Sequence, residues 1–317
     1  LESILPLHTQ VIEFRDKRLA LNLAPNSEVS PDQARENSRI WRAVIPADLE
    51  PVSDITDRTI PGPAGDLPIR IYRPDSTGPH PLLMLFHGGG WLIGDLDHED
   101  PSARRMCNQL NAVVVSVDYR LAPETRFPGA PDDCYAALVW SFENSEDLGI
   151  DAANIAVTGT SAGGNLAAVV AQMARYTRGP KIKHQVLFCP VIDYDFERSS
   201  YTTHGDSFAL TQDSMRFFWK QYLGPDGESN GHTPYASPIR AESLAGLPDA
   251  TIITAQYDPL VDEAVDYAKA LRAAGVDTSY TQYPGMAHAF NELIGIFDSA
   301  RVAVDEACER ILKSFDK

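Results

Sequence analysis

Cysteine is scarce in this chain. Four residues in 317 are cysteine, and no two form a C-x-x-C pair. That argues against a zinc knuckle and a thioredoxin-type redox motif. It leaves Cys107, Cys134, Cys189 and Cys308 as buried free thiols rather than a disulfide scaffold. Positive charge is also short, with 27 Lys and Arg against 44 Asp and Glu and a formal net charge of −17. Such a chain repels phosphate backbones and anionic lipid surfaces, so neither nucleic acid nor a membrane is an expected partner. Long apolar runs are missing: residues 81–86 and 112–117 are strand-sized, well below the roughly 20 residues of a bilayer span. No basic region followed by an apolar run opens the chain, so no signal peptide is visible and a cytoplasmic location is expected. The first residue is Leu1 rather than Met, which leaves a removed leader open. Internal repeats, heptads, G-x-G-x-x-G and P-loop patterns are absent as well.

What is present is an ordinary globular composition, 44% hydrophobic and 22% charged, enough for a large core. The length suits two domains, or one large α/β domain with additions. Residues 1–50 read as helical: Ile4, Leu7, Val11 and Phe14 fall at helical spacing, and Ser30-Pro31 is an N-cap signal for a second helix over 32–44. Strands follow at 54–60 and 67–72 around a turn at 61–65, then a buried strand at 82–86. Beyond it, strands at 112–117, 155–158, 185–189, 251–255 and 278–283 alternate with helices at 130–142, 162–176, 262–274 and 299–315. This alternation predicts a mostly parallel sheet with helices on both faces. Residues 193–247 interrupt it, an aromatic stretch with a helix over 212–222 that is expected to fold over the sheet with the N-terminal helices. The expected organisation is N-terminal cap helices over 1–50 and a catalytic domain over 51–317, with a cap insertion at 193–247.

The strongest chemical signal is Gly159-Thr160-Ser161-Ala162-Gly163, a G-x-S-x-G between a strand and a helix. This is the pattern of a nucleophile elbow, in which flanking glycines relieve crowding at a strained serine. The helix that follows aims its first amides at the same point. His87-Gly88-Gly89-Gly90 follows the strand at 82–86, and its bare amides can donate to an oxyanion. His87 itself reads as structural. A base and an acid must come after the serine. His288 follows the last strand, whereas His184 precedes one, and His204 and His232 lie in the excursion. Asp258 follows the strand at 251–255, with Asp262 and Glu263 as rivals at the next helix start. The acidic run 95–100 lacks the glycine of an EF-hand loop and reads as a solvated turn, so no metal is expected. Asp118 and Arg120 suit a structural ion pair. Phe217, Phe218 and Trp219 suit packing, with Phe208 and Leu210 as candidates for a substrate pocket.

Taken together, the segments 87–90, 118–124, 159–164, 258–260 and 285–290 make the chain similar to the hormone-sensitive-lipase family, bacterial lipolytic family IV. The resemblance implies an α/β-hydrolase fold with a helical cap and hydrolysis of short- to medium-chain carboxylic esters through an acyl-enzyme, with no cofactor. It implies Ser161 as nucleophile, Asp258 as acid, His288 as base, and amides of Gly88, Gly89 and Ala162 as the oxyanion hole. Many members carry Asp where Thr160 stands, and one branch carries Thr. The expected partner is a small-molecule ester, and a homodimer stays open. Two other readings share the fold: a non-catalytic small-molecule receptor, or a related amidase, thioesterase or carbohydrate deacetylase.

Overall fold

The computed structural model describes residues 6–46 and 48–317. Helix α1 spans Thr9–Ala20 and buries Val11 and Phe14, two of the positions that predicted it; Ile4 lies outside the described residues. Helix α2, Pro31–Arg42, starts at the expected cap, where the Ser30 hydroxyl accepts from the Gln33 amide at 3.2 Å.

The chain then enters β1 (Asp54–Gly62) and β2 (Gly65–Arg73), an antiparallel hairpin closed at Gly62 and Gly65. In order there follow β3 (His80–Phe86), α3 (Asp100–Leu110), β4 (Val113–Val117), α4 (Gly129–Glu143), α5 (Ser145–Leu148), β5 (Ile150–Thr160), α6 (Ala162–Thr177) and β6 (His184–Phe188). The excursion carries α7 (Ser199–His204), α8 (Gln212–Leu223) and α9 (Gly227–Gly231). The last elements are β7 (Asp249–Tyr257), α10 (Val261–Ala273), β8 (Thr278–Ala287) and α11 (Asp298–Phe315).

The eight strands form one sheet in the order β1-β2-β4-β3-β5-β6-β7-β8, parallel from β4 through β8. Strands β3 and β4 are buried on both faces, which is why they read as unbroken apolar runs. Helices α4, α6 and α10 cover one face, and α3 and α11 cover the other. Two strands outrun their sequence signal. Strand β5 begins at Ile150, where pairing with His80 extends a polar Asp-Ala-Ala-Asn stretch that has little strand propensity of its own. Strand β8 runs on to Ala287 beside Tyr257 of β7, so that His288 leaves the very end of a strand. The short helices α5, α7 and α9 carry too little periodicity to be read from sequence.

This topology brings the carboxyl ends of β3, β5, β7 and β8 to one edge of the sheet, the usual place for a ligand in such folds.

Candidate active site

Ser161 stands between β5 and α6 with φ 57° and ψ −115°, a backbone conformation that costs a non-glycine residue on the order of 1–3 kcal/mol. The sharp turn is possible because Gly163 has no side chain: a Cβ there would come within 1.9 Å of the Phe86 carbonyl oxygen. The Ser161 amide donates to the Phe188 carbonyl at 2.8 Å, which ties the elbow to the end of β6.

The structure brings the three predicted side chains together. His288 Nδ1 donates to Asp258 Oδ2 at 2.8 Å, so Nε2 is left as the acceptor that faces the Ser161 hydroxyl at 2.9 Å. Asp258 is completely buried, and its other oxygen accepts from the Leu260 amide at 2.9 Å. The rival acids serve elsewhere. Asp262 accepts from the Ser200 amide at 2.8 Å, and Glu263 accepts from the Ile192 amide at 3.2 Å. Burial pushes the Glu263 carboxyl well above the carboxylate range. His184 lies at the amino end of β6 between Ser314 and Thr251, at the far edge of the sheet. His204 packs beside Tyr257 and His232 beside Tyr194, and neither bonds the serine. The three atoms Cys189 Sγ, Asp258 Oδ and His288 N could hold a metal by proximity alone. Burial, however, keeps the Cys189 thiol protonated, and the His288 nitrogens are committed to Asp258 and Ser161, so the donor set does not suit an ion.

The glycine loop departs from expectation at one residue. The Gly88 amide is not free for an oxyanion, because it donates to the buried Glu99 carboxyl oxygen Oε1 at 3.1 Å. The loop then turns through positive φ at Gly89 and Gly90, and both of these residues line the cavity that contains Ser161 and His288. Among the described residues, the amides of Gly89, Gly90 and Ala162 have no protein acceptor. Ala162 is the first residue of α6, where a helix leaves its amides unpaired. His87 is structural, as read from sequence: its Nδ1 bonds the Gly88 carbonyl at 2.8 Å, and Tyr119 donates to the His87 carbonyl at 2.8 Å. Burial lowers the imidazole to about 4, which keeps it neutral.

Sequence reasoning missed the residues behind this loop. Burial and the neighbouring Glu292 push the Glu99 carboxyl well above its ordinary range. Burial acts on Glu292 too, but His98, bonded to it at 3.0 Å, draws its carboxyl below its ordinary value. Asn291 donates to the Thr160 hydroxyl at 2.8 Å and ties this cluster to the elbow. Glu99 belongs to the acidic run weighed above for a metal. There the other acids meet separate cations: Asp95 pairs with Arg42, Asp97 with Arg70 and Asp100 with Arg104. The expected Asp118–Arg120 pair is corrected as well. Arg120 instead grips the buried Asp133 of α4, at 2.8 and 2.7 Å, because the turn after β4 points it across to that helix.

The cavity over Ser161 measures about 1350 Å³ and draws walls from α1, α2 and the excursion. Phe208 and Leu210, the candidates for a substrate pocket, both line it. Phe218 of α8 lies flat against the loop, where a Cβ on Gly90 would fall 2.4 Å from its ring. Trp219 packs instead into an aromatic cluster with Trp91, with ring centroids 4.7 Å apart.

Comparison with known proteins places the fold and the family. A family model described as alpha/beta hydrolase fold matches residues 83–292. The chain is 43% identical over 258 residues to the carboxylic ester hydrolase LipN of Mycobacterium tuberculosis, covering 80% of this chain and 68% of the relative. It is 35% identical to an arylesterase of Saccharolobus solfataricus, covering 90% and 92% of the two chains. Among solved structures, a thermostable esterase from Pseudomonas putida superposes with a TM-score of 0.92 at 34% identity, covering 98% of both chains.

Proposed function

The chain belongs to the α/β-hydrolase family and is a serine carboxylic ester hydrolase, and from that premise we propose the role of each residue and the size of its substrate. Ser161 Oγ attacks the ester carbonyl while His288 Nε2 takes its proton. Asp258 holds the imidazole in the productive tautomer and stabilises the imidazolium that forms. The amides of Gly89, Gly90 and Ala162 receive the oxyanion, each contributing about 3 kcal/mol to the transition state by comparison with other oxyanion donors. His288 then protonates the departing alcohol. The same residue activates a water that releases the acid and restores Ser161.

The observation that carries this reading is the unbroken hydrogen-bonded chain from Asp258 through His288 to Ser161, at 2.8 and 2.9 Å. The segments 6–46 and 193–247 act as a cap that roofs the serine, and the substrates are soluble esters with acyl chains of about two to eight carbons. Among the described residues, no helix is long and apolar enough to cross a membrane. The test is Ser161→Ala, assayed on p-nitrophenyl acetate and butyrate. Folding should be preserved and turnover should fall on the order of 10⁶-fold. A variant that kept a tenth of the wild-type rate would remove Ser161 from the chemistry.

A further inference from the structure

The cavity over Ser161 is lined by five arginines: Arg18, Arg39, Arg42, Arg70 and Arg104. Four are neutralised locally. Arg39 pairs with Glu36 at 3.0 Å, Arg42 with Asp95 at 2.8 Å, Arg70 with Asp57 and Asp97 at 2.6 Å, and Arg104 with Asp100 at 2.7 Å. Arg18 differs from all of them. Among the described residues no carboxylate lies within 4 Å of it, and its guanidinium makes no hydrogen bond. Burial lowers the Arg18 pKa from its ordinary value, and no nearby acid opposes the shift. The charge stands over the Trp41 ring, 5.5 Å from its centroid. Trp41 in turn meets Phe14 edge-on at 4.6 Å, and Phe14 meets Phe297 at 5.2 Å. All three aromatics line the same cavity as Ser161. This wall therefore offers apolar faces for a chain or ring and one cation whose five N–H donors meet no acceptor among the described residues.

A partly buried guanidinium without a counter-charge keeps its donors open to water or to a ligand. The last turn of α1 favours a cation there, but a helix end does not occupy the fork of donors. A carboxylate fits that fork in two parallel hydrogen bonds, and Arg presents it without reorganisation. The whole chain carries −17, so its long-range field repels anions, and an anionic substrate needs a local cation inside the cavity to bind at all.

We propose that Arg18 forms a carboxylate-binding subsite in the substrate cavity, so that the esters this enzyme selects carry a free carboxylate remote from the scissile bond. The proposal rests on the ester-hydrolase reading above and adds the class of substrate. The carboxylate is read by α1, while the ester carbonyl is read by the glycine loop and Ser161. Specificity would then follow the spacing between the two groups.

The experiment compares kcat/KM for two series of charged esters with that for uncharged esters of equal length. Monoethyl adipate and monoethyl suberate place the carboxylate on the acyl side, and 6-acetoxyhexanoate places it on the alcohol side. The corresponding methyl esters or primary amides of the remote carboxylate are the neutral partners, with ethanol or acetate release as the readout. In at least one series the wild type should favour the anion about fivefold or more, the range of a partly desolvated ion pair. Arg18→Met keeps the packing of the side-chain stem and should bring that ratio to about one, and Arg18→Lys should restore part of it. Two results would overturn the proposal: neutral esters favoured or equal in both series, or a preference for the anion that survives Arg18→Met. Turnover of the neutral esters reports on Ser161 and His288 themselves, so a failed preference is separable from a failed hydrolase.

Discussion

In the proposed mechanism, His288 works only if one nitrogen is committed and the other is free. Asp258 enforces this by accepting Nδ1–H inside a fully buried pocket, where its charge is screened by neither water nor salt. Asp258→Asn replaces that acceptor with an amide that can stabilise the wrong tautomer, and turnover should fall about 10⁴-fold. Asp262→Asn should fall much less, because its carboxylate only caps the Ser200 amide. Steady-state kinetics on one short ester would rank the two, and an inverted ranking would move the acid to the start of α10. Glu99 acts at one remove. It accepts the Gly88 amide and so fixes the turn that exposes the next two amides. Glu99→Gln keeps an acceptor oxygen and should retain most activity. Glu99→Ala leaves a buried amide unsatisfied and lets the loop shift, so kcat should drop about tenfold or more with KM little changed. A KM effect with kcat intact would make Glu99 a packing residue only.

At the scale of elements, the amino end of β6 is fastened by a group that the chemistry never touches. His184 begins β6 and is bonded to Thr251 of β7 and to Ser314 of α11, at 2.9 and 2.8 Å. Burial lowers its pKa to about 4, so the folded state holds it neutral while the unfolded chain protonates near 6.5. A depressed histidine contributes stability that is present above about pH 6.5 and lost as pH falls toward about 4. The loss is about 1.4 kcal/mol per pH unit across that window. Glu99 and Glu263 shift in the opposite sense, so the total pH profile mixes the two. The isolated comparison is wild type against His184→Gln by urea unfolding at pH 7.0 and 5.5. The stability gap between them should shrink at the lower pH; a gap that is unchanged or wider would mean that His184 is protonated in the folded state.

Over the whole molecule, the question is how much room the roofed cavity leaves. A volume of about 1350 Å³ is generous for a short ester, yet Phe208, Leu210 and Phe218 narrow it beside the serine. Each further methylene that finds an apolar wall adds about 0.8 kcal/mol, so kcat/KM should first rise with acyl length. It should then fall once the chain meets the segments 6–46 and 193–247. A series of p-nitrophenyl esters from two to sixteen carbons measures this, with the maximum expected at or below about eight. Activity that climbs on long-chain triglyceride emulsions above their solubility limit would instead make the enzyme interfacial.

The sequence by itself determined the fold class and singled out Ser161, with Asp258 and His288 among a few candidates for its partners, because these signals are written locally. Strict G-x-S-x-G chemistry at a strand-to-helix turn fixes Ser161, and chain order after later strands narrows the acid and base to a few residues. The apolar runs of β3 and β4 and the helical spacing that announces α1 need no distant partner to be read. Tertiary structure decided what depends on residues far apart in the chain. Which glycine amides stay free is settled by Glu99, eleven residues beyond Gly88 and folded back beneath it. Arg120 finds Asp133 rather than Asp118 because α4 swings past the turn after β4. Strand β5 gains its first residues from pairing with His80 and not from propensity. Among five arginines that look alike in sequence, the fold gives four a carboxylate and, among the described residues, leaves Arg18 facing the substrate cavity without one. Side-chain type sets what chemistry is available, whereas burial and long-range pairing set which groups are still free to perform it.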